Sequence, residues 1–200
     1  ELLTSAGFDA LGIGSMEEPG FLREAGIELP MYFDQGMYSW NHLAGAAMER
    51  YGADRLTIPV ELNEREIRDS GVQGEMIVYG YLPMMISAQC IRKTTLGCSG
   101  KSEIMWLKDR KDMRFPVVNQ CRFCYNTIYN SAPLSLLGLS EQVTGLKPNA
   151  VRLNFTVEEP AAAGEILDAF FEEYGMSEKA AEPPVLRNQF TRGHFKRGVE

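Results

Sequence analysis

The residues with the clearest chemical potential in this sequence are its four cysteines, which all lie within one short window: Cys90, Cys98, Cys121 and Cys124. Cysteines that serve only for packing are seldom concentrated in this way. Four thiolates that meet at one point are the ligands of a structural zinc ion or of an iron–sulfur cluster. We therefore treat the four cysteines as candidate metal ligands.

The spacing of the two cysteine pairs bears on which metal they would bind. Cys121-Arg-Phe-Cys124 is a C-x-x-C sequence, a spacing that lets two sulfurs of one turn bind the same metal centre. Seven residues separate Cys90 from Cys98, whereas zinc ribbons and knuckles prefer about two to four. The pattern favours a [4Fe-4S] cluster held by a long loop, with a zinc ion or buried unliganded thiols as the alternatives.

The elements that would position these cysteines follow a β/α rhythm. Short apolar runs predict four strands before the cysteines, at 9–14, 29–33, 55–60 and 75–79. Capped helices lie between these runs, and a further strand at 150–155 precedes a helix from about 161 to 174. Mostly apolar strands that alternate with helices are typical of parallel sheets covered on both faces. The predicted fold class is therefore α/β, as a barrel or a doubly wound sheet.

The rhythm breaks between about 81 and 139, and every cysteine lies in this segment. Aromatic residues such as Trp106 and Phe123 argue against disorder there, and residues 105–110 and 114–118 predict a hairpin. The segment follows the carboxyl end of the fourth predicted strand, where β/α folds place ligand sites. We interpret it as a cysteine-bearing loop insertion.

Four stretches of the sequence together carry a family resemblance. Residues 78–90 read VYGYLPMMISAQC, residues 52–63 read GADRLTIPVELN, and the Tyr129-Asn-Ser131 segment and residues 192–198 accompany them. The first stretch resembles the signature of peptidase family U-thirty-two, the collagenase-like proteases. The second resembles a strand of that family that reads GADR…REL, and the other two also fit the family. The family's hydroxylation-type signature has a cysteine where this chain has Pro83, and this chain has Cys121 and Cys124 nearby instead.

The resemblance implies a TIM-barrel-like catalytic domain of parallel β/α repeats. Residues 1–186 would form its C-terminal part, about five of the eight strands. Residues 187–200 would begin a linker to a further domain. The missing amino-terminal half of the barrel would then be a partner within the same protein.

The resemblance also implies an activity. Several family members resemble iron–sulfur factors for oxygen-independent hydroxylation of RNA or of an aromatic ubiquinone precursor, so our first hypothesis is a [4Fe-4S]-dependent factor of this kind. The second is a collagenase-like peptidase acting on peptides, with a structural zinc site at the four cysteines. It ranks second because the sequence has no H-E-x-x-H, no G-x-S-x-G and no cysteine with a clear histidine partner. The third hypothesis is a non-catalytic structural half of a larger assembly.

Two further residues are candidates for catalysis. Glu61 ends the third predicted strand, where barrels carry catalytic carboxylates, and would handle a proton; the alternative is a capping or salt-bridging acid. Arg152 lies in the last predicted strand and would contact an anion, since in the family a basic residue nearby tends to face the site.

Composition and charge exclude several classes of protein. No apolar run approaches the roughly eighteen residues of a membrane-spanning helix, so no membrane partner is expected. The net charge of −7 argues against phosphate binding by the whole surface. Four cysteines in 200 residues do not suggest a disulfide scaffold, so the predicted location is the reducing cytoplasm.

Overall fold

The computed structural model describes residues 6–176 and 189–198, and within them the chain forms two compact units. Unit 1 contains the described residues up to Ile77, the segment Leu139–Arg152 and the described residues from Arg192 onward. Unit 2 contains Val78–Gly138 and the described residues between Leu153 and Thr191. The predicted start of a linker at 187 lies outside the described residues.

The described chain contains ten strands and six α-helices. The strands are β1 (Leu11–Ile13), β2 (Met31–Phe33), β3 (Arg55–Leu56), β4 (Glu75–Gly80), β5 (Pro83–Ser87), β6 (Ile104–Lys108), β7 (Arg114–Gln120), β8 (Tyr125–Tyr129), β9 (Leu134–Ser135) and β10 (Ala150–Asn154). The helices are α1 (Glu18–Glu24), α2 (His42–Tyr51), α3 (Glu64–Ser70), α4 (Ile91–Thr95), α5 (Ser140–Gly145) and α6 (Pro160–Glu173). A short 3-10 helix spans Gln35–Met37.

Unit 1 is built on a parallel three-stranded sheet with the order β1-β2-β3. Its core takes one buried apolar residue from each strand and others from the helices and loops: Ile13, Phe33, Leu56, Leu22, Met37, Met48 and Val72. Burial of these side chains is the main force that holds the helices on the sheet.

The helices of unit 1 begin and end at residues suited to those positions. The Asn41 side chain accepts hydrogen bonds from the first turn of α2, and Asn63 and Glu66 form a capping box at the start of α3. The two helices end at Gly52 and Gly71, whose φ angles of 117° and 66° lie in the left-handed region that glycine adopts without strain. These signals are local, and so they are visible in the sequence.

Unit 2 contains a four-stranded antiparallel sheet with the order β5-β8-β7-β6. The predicted hairpin at 105–110 and 114–118 is confirmed as β6 and β7, which pair along their whole shared length. The helix predicted from about 161 to 174 is confirmed as α6. Among the described residues, no helix combines the length and the apolar character needed to cross a bilayer.

The predicted TIM-barrel-like fold of parallel β/α repeats is wrong. The described residues form three separate small sheets, and none of these closes or curls into a barrel. Strand β4 pairs antiparallel with β9, and every pairing in the four-stranded sheet is antiparallel. The chain is therefore a mixed α/β protein, not five strands of an eight-stranded barrel. The segment 81–139, which we interpreted as a loop insertion, contains most of the second unit's strands.

The error has a physical origin. Apolar runs between helices show that strands are buried, but they do not specify the direction in which strands pair. Strand β4 is buried from Met76 to Gly80 and ends by pairing with β9, with Tyr79 opposite Ser135. Strand β5 is exposed from Pro83 to Ile86, although the residues there are apolar. Its sequence therefore lacks the alternation of apolar and polar residues by which strands are recognised.

Replacing Gly80 by alanine is predicted to destabilise the protein strongly. Gly80 has a φ of 151°, and a Cβ atom there would lie 2.5 Å from the backbone oxygen of Asn154. We expect Gly80→Ala to lower the free energy of unfolding by about 3 kcal/mol, because backbone strain and overpacking add. Urea denaturation measures this loss.

Gly71→Ala is the matched control, because Gly71 has a φ of 66° and a Cβ atom added there would meet no other atom within 4 Å. Its expected loss is about 1 kcal/mol, from backbone strain alone. Equal losses in the two variants would show that the close approach of the Asn154 backbone to Gly80 does not contribute to the loss of stability.

Candidate four-cysteine site

The four cysteines lie on the loops at one end of the four-stranded sheet in unit 2. Cys90 follows β5 and caps α4, and Cys98 lies between α4 and β6. Cys121 and Cys124 form the turn between β7 and β8. Because the strands are antiparallel in the order β5-β8-β7-β6, the end of β5, the start of β6 and the β7–β8 turn come to the same edge.

All four cysteines line one cavity of about 280 Å³. The other lining residues include Lys93, Asn119 and Tyr125. All four cysteines are free thiols, and two of them, Cys98 and Cys124, are exposed. The fold therefore brings together side chains that are up to 34 positions apart in the sequence.

The surroundings of the Cys121 thiol raise its pKa. Partial burial raises its pKa, and the neighbouring sulfurs of Cys98, Cys90 and Cys124 and then the Glu103 carboxylate raise it further. Negative charge at Cys121 is disfavoured while these groups face it without a cation. A bound metal centre would remove this penalty, since coordination deprotonates a thiol outright.

Hydrogen bonds already orient three of the sulfurs, including Cys124 Sγ, which lies 3.8 Å from the Cys121 carbonyl oxygen. The backbone N–H of Lys93 lies 3.5 Å from Cys90 Sγ, and Nδ2 of Asn119 lies 3.6 Å from Cys121 Sγ. The Cys121 thiol itself donates to the carbonyl oxygen of Lys101 at 3.0 Å. Donors around the sulfurs are typical of metal sites, where they fix the orientation of the ligands and tune the metal.

The geometry indicates what kind of group the cavity suits. Among the described residues, no group of three or more His, Cys, Asp or Glu side chains is arranged to hold a metal ion. The four cysteines line the cavity. A four-iron cluster takes one ligand from each of four cysteines, and a structural zinc ion can also take four thiolates, so the donor set suits either group.

Sequence reasoning missed two asparagines that support the site. Asn119 and Asn126 pair directly across β7 and β8, and their exposed fractions are 1% and 0%. The Asn126 amide hydrogen-bonds the backbone just before Cys90. The Asn119 amide hydrogen-bonds the backbone of the segment that follows Cys98. The available signal was their symmetric placement, two residues before Cys121 and two residues after Cys124.

Glu61 and Arg152 both belong to unit 1, whereas the cysteines belong to unit 2. Glu61 is half-buried and lies in the turn that precedes helix α3. This turn follows Thr57, which forms an isolated bridge to Glu75. Its carboxylate makes no hydrogen bond or ion pair with the described part of the chain.

Arg152 is engaged by two carboxylates. Its Nη2 lies 2.5 Å from Asp34 Oδ1, and its Nε lies 3.2 Å from Glu75 Oε1. The second contact is an ion pair without hydrogen-bond alignment, so Nε is a buried donor without a hydrogen-bond partner. The charge of Arg152 is thus already compensated within unit 1.

Comparisons of the chain with protein-family models, with curated proteins and with solved structures found no match. The resemblance to family U-thirty-two therefore stays a prediction that rests on the residues quoted for it.

The raised pKa of Cys121 predicts slow alkylation of this thiol in the metal-free protein. At pH 8 we expect iodoacetamide to modify Cys121 several-fold more slowly than the exposed Cys98, because only the thiolate reacts and its fraction is reduced. The Cys121 rate should keep rising with pH beyond the ordinary thiol range. Peptide mass spectrometry after timed quenching measures both rates.

Two controls separate the electrostatic cause from simple shielding. In denaturing urea the four thiols should react alike. In the folded protein, Cys98→Ser should accelerate the reaction of Cys121, because it removes the sulfur that raises the Cys121 pKa most. A Cys121 rate unchanged by Cys98→Ser would contradict the proximity of these sulfurs.

Proposed function

We propose that this protein is an iron–sulfur protein of the U-thirty-two type, which acts in the oxygen-independent hydroxylation of RNA. Cys90, Cys98, Cys121 and Cys124 hold its [4Fe-4S] cluster. The observation that carries the proposal is the convergence of four thiols from three loops on a single cavity. The resemblance around residues 78–90 supplies the reaction class.

The chain's own residues bind and orient the proposed centre. When bound, a cluster with four thiolate ligands supplies electron transfer. The Lys93 N–H and the Asn119 amide orient the sulfurs of Cys90 and Cys121. Glu61 remains our proposed proton-handling group. Arg152 is proposed to contact an anionic group of the substrate. That group must compete with Asp34 and Glu75 for the Arg152 guanidinium.

The charge of the chain segment that contains the cysteines favours RNA over a small aromatic molecule as the substrate. Residues 90–125 contain eight basic and three acidic side chains, a net charge of +5 in a chain whose net charge is −7. Two of the eight form ion pairs within the described residues, Arg92 with Glu103 and Lys108 with Asp112. The remaining basic side chains are exposed and available to phosphates. Lys93, Lys101 and Arg122 lie at the end of the sheet that carries the cysteines, whereas Arg110, Lys111 and Arg114 lie at or next to the β6–β7 turn, at the opposite end.

Exposed aromatic rings accompany this charge. Phe123, between the two cysteines of the C-x-x-C turn, is 67% exposed, and it stacks on Tyr125 with ring centroids 6.4 Å apart. The guanidinium of Arg122 lies 5.5 Å from the Phe123 ring. Aromatic and guanidinium planes next to positive charge are the groups on which single-stranded bases stack. The turn that carries two proposed cluster ligands therefore also offers a surface for RNA.

We place the protein in the cytoplasm. All four cysteines are free, and a cluster with exposed thiol ligands suits a reducing compartment.

Anaerobic purification is predicted to yield a coloured protein with about four irons and four sulfides per chain. Cys121→Ser should lose most of the iron, because the remaining three thiolates leave one iron unliganded. Leu96→Ser is the control, since Leu96 is an exposed residue two positions before Cys98 and not a ligand. Iron and sulfide assays and the visible spectrum measure the outcome. A colourless wild-type protein with one zinc ion would contradict the proposed cluster and would support a structural zinc ion in its place.

Phe123→Ala is predicted to weaken binding of a single-stranded RNA oligonucleotide by about tenfold or more, because stacking of one base contributes about 1–3 kcal/mol. Phe21→Ala is the matched control, since Phe21 is 65% exposed but lies in unit 1. Arg122→Glu should also weaken binding and reduce its salt dependence, whereas Arg65→Glu on α3 should not. Fluorescence anisotropy at several salt concentrations measures these affinities. Loss of affinity in all four variants alike, or no RNA binding at all, would redirect the proposal to the small aromatic substrate.

A further inference from the structure

Two buried amides lie opposite each other in the strands that lead into and out of the C-x-x-C turn. Asn119 and Asn126 are cross-strand partners in β7 and β8, with exposed fractions of 1% and 0%. A buried amide destabilises the fold unless it is hydrogen-bonded, so a pair of them in a small sheet calls for an explanation. Both residues direct their hydrogen bonds to segments that carry cysteines.

Asn119 joins two of the cysteine loops. Its Oδ1 accepts a hydrogen bond from the Glu103 N–H at 2.5 Å, and its Nδ2 lies 3.3 Å from the Lys101 carbonyl oxygen. The same Nδ2 lies 3.6 Å from Cys121 Sγ, within the range of hydrogen bonds to sulfur. One amide therefore links the chain that leaves Cys98 to the sulfur of Cys121. It also lines the cavity.

Asn126 has a related but different set of partners. Its Nδ2 donates to the Gln89 carbonyl oxygen at 2.8 Å and lies 3.4 Å from that of Ser87, which holds the segment just before Cys90. It makes no hydrogen bond to a sulfur within the described residues, and its Oδ1 is buried without a hydrogen-bond partner there. Asn126 thus orders a cysteine loop through the backbone alone.

We propose that Asn119 is a positioning residue of the metal centre, which sets the separation of Cys98 and Cys121 and tunes the centre through its N–H contact with the Cys121 sulfur. This inference rests on the proposed function, since it assumes that the cysteines hold a metal centre. Donors near ligand sulfurs stabilise added negative charge, and such partners typically change metal retention by about 10–100-fold. Asn126 shares the burial and the support of the backbone but lacks the contact with sulfur.

Asn119→Asp tests the proposal in the full-length protein purified without air. The variant keeps an acceptor for the Glu103 N–H but replaces the donor to Cys121 Sγ by a carboxylate oxygen. We expect iron release to a chelator to be about tenfold faster or more. We also expect the midpoint potential of the centre to fall, because a donor is lost and negative charge is gained beside a ligand.

Asn126→Asp is the matched control, since it places the same carboxylate in the same sheet and also loses a donor to a carbonyl. It should destabilise the fold and lower the midpoint potential less than Asn119→Asp does, because it adds charge without removing a donor to a sulfur. If Asn119→Asp does not fold, Asn119→Ser, whose shorter side chain reaches neither Lys101 nor Cys121, carries the same comparison. If the wild type holds zinc, zinc release to a chelator replaces the iron measurement.

The possible outcomes separate this inference from the proposed function. Wild-type release kinetics and potential in the folded Asn119 variants would overturn this inference and leave the proposed function standing. Equal shifts of the potential in the Asn119 and Asn126 variants would also overturn it, and so would failure of both Asn119 variants to fold while Asn126→Asp folds. A wild type that holds neither iron nor zinc would overturn the proposed function and the inference together.

Discussion

The antiparallel register of the four-stranded sheet is the constraint on which the site depends. Ser87 of β5 lies opposite Asn126 of β8, and Asn126 lies opposite Asn119 of β7. These pairings place the end of β5 and the β7–β8 turn at one edge, and Ile104, paired with Val118, brings the start of β6 to the same edge. A shift of one residue in any pairing would turn the asparagines away from the loops that they hydrogen-bond.

The same edge concentrates two unfavourable features, which a bound centre would reconcile. Burial and then the neighbouring sulfurs raise the pKa of Cys121, and two amides are buried in the adjoining strands. The raised pKa disfavours the thiolate, and a buried amide lowers stability wherever it lacks a hydrogen-bond partner. Local conflicts of this kind are expected at functional sites, where the ligand satisfies groups that the fold leaves incompletely paired.

Unit 1 has a different electrostatic organisation. Arg152 of β10 contacts carboxylates from the loop after β2 and from the start of β4, so one guanidinium ties three chain segments together. Its side chain is 29% exposed, and breaking a partly buried cluster of this kind would leave charges unpaired. This explains why the residue is held in place within the fold, whether or not a ligand approaches it.

The sequence by itself determined the local features of this protein. The helix caps at Asn41 and Asn63, the terminating glycines and the hairpin of β6 and β7 follow from short-range hydrogen bonding and turn chemistry. The sequence also singled out the four cysteines as a group. Only the tertiary structure decided that β4 pairs with an antiparallel partner, that no barrel forms within the described residues, and that the cysteines line one cavity supported by Asn119 and Asn126. The physical reason is that burial leaves a periodic mark on the residues of a strand, whereas the direction and register of pairing depend on contacts between residues far apart in the chain.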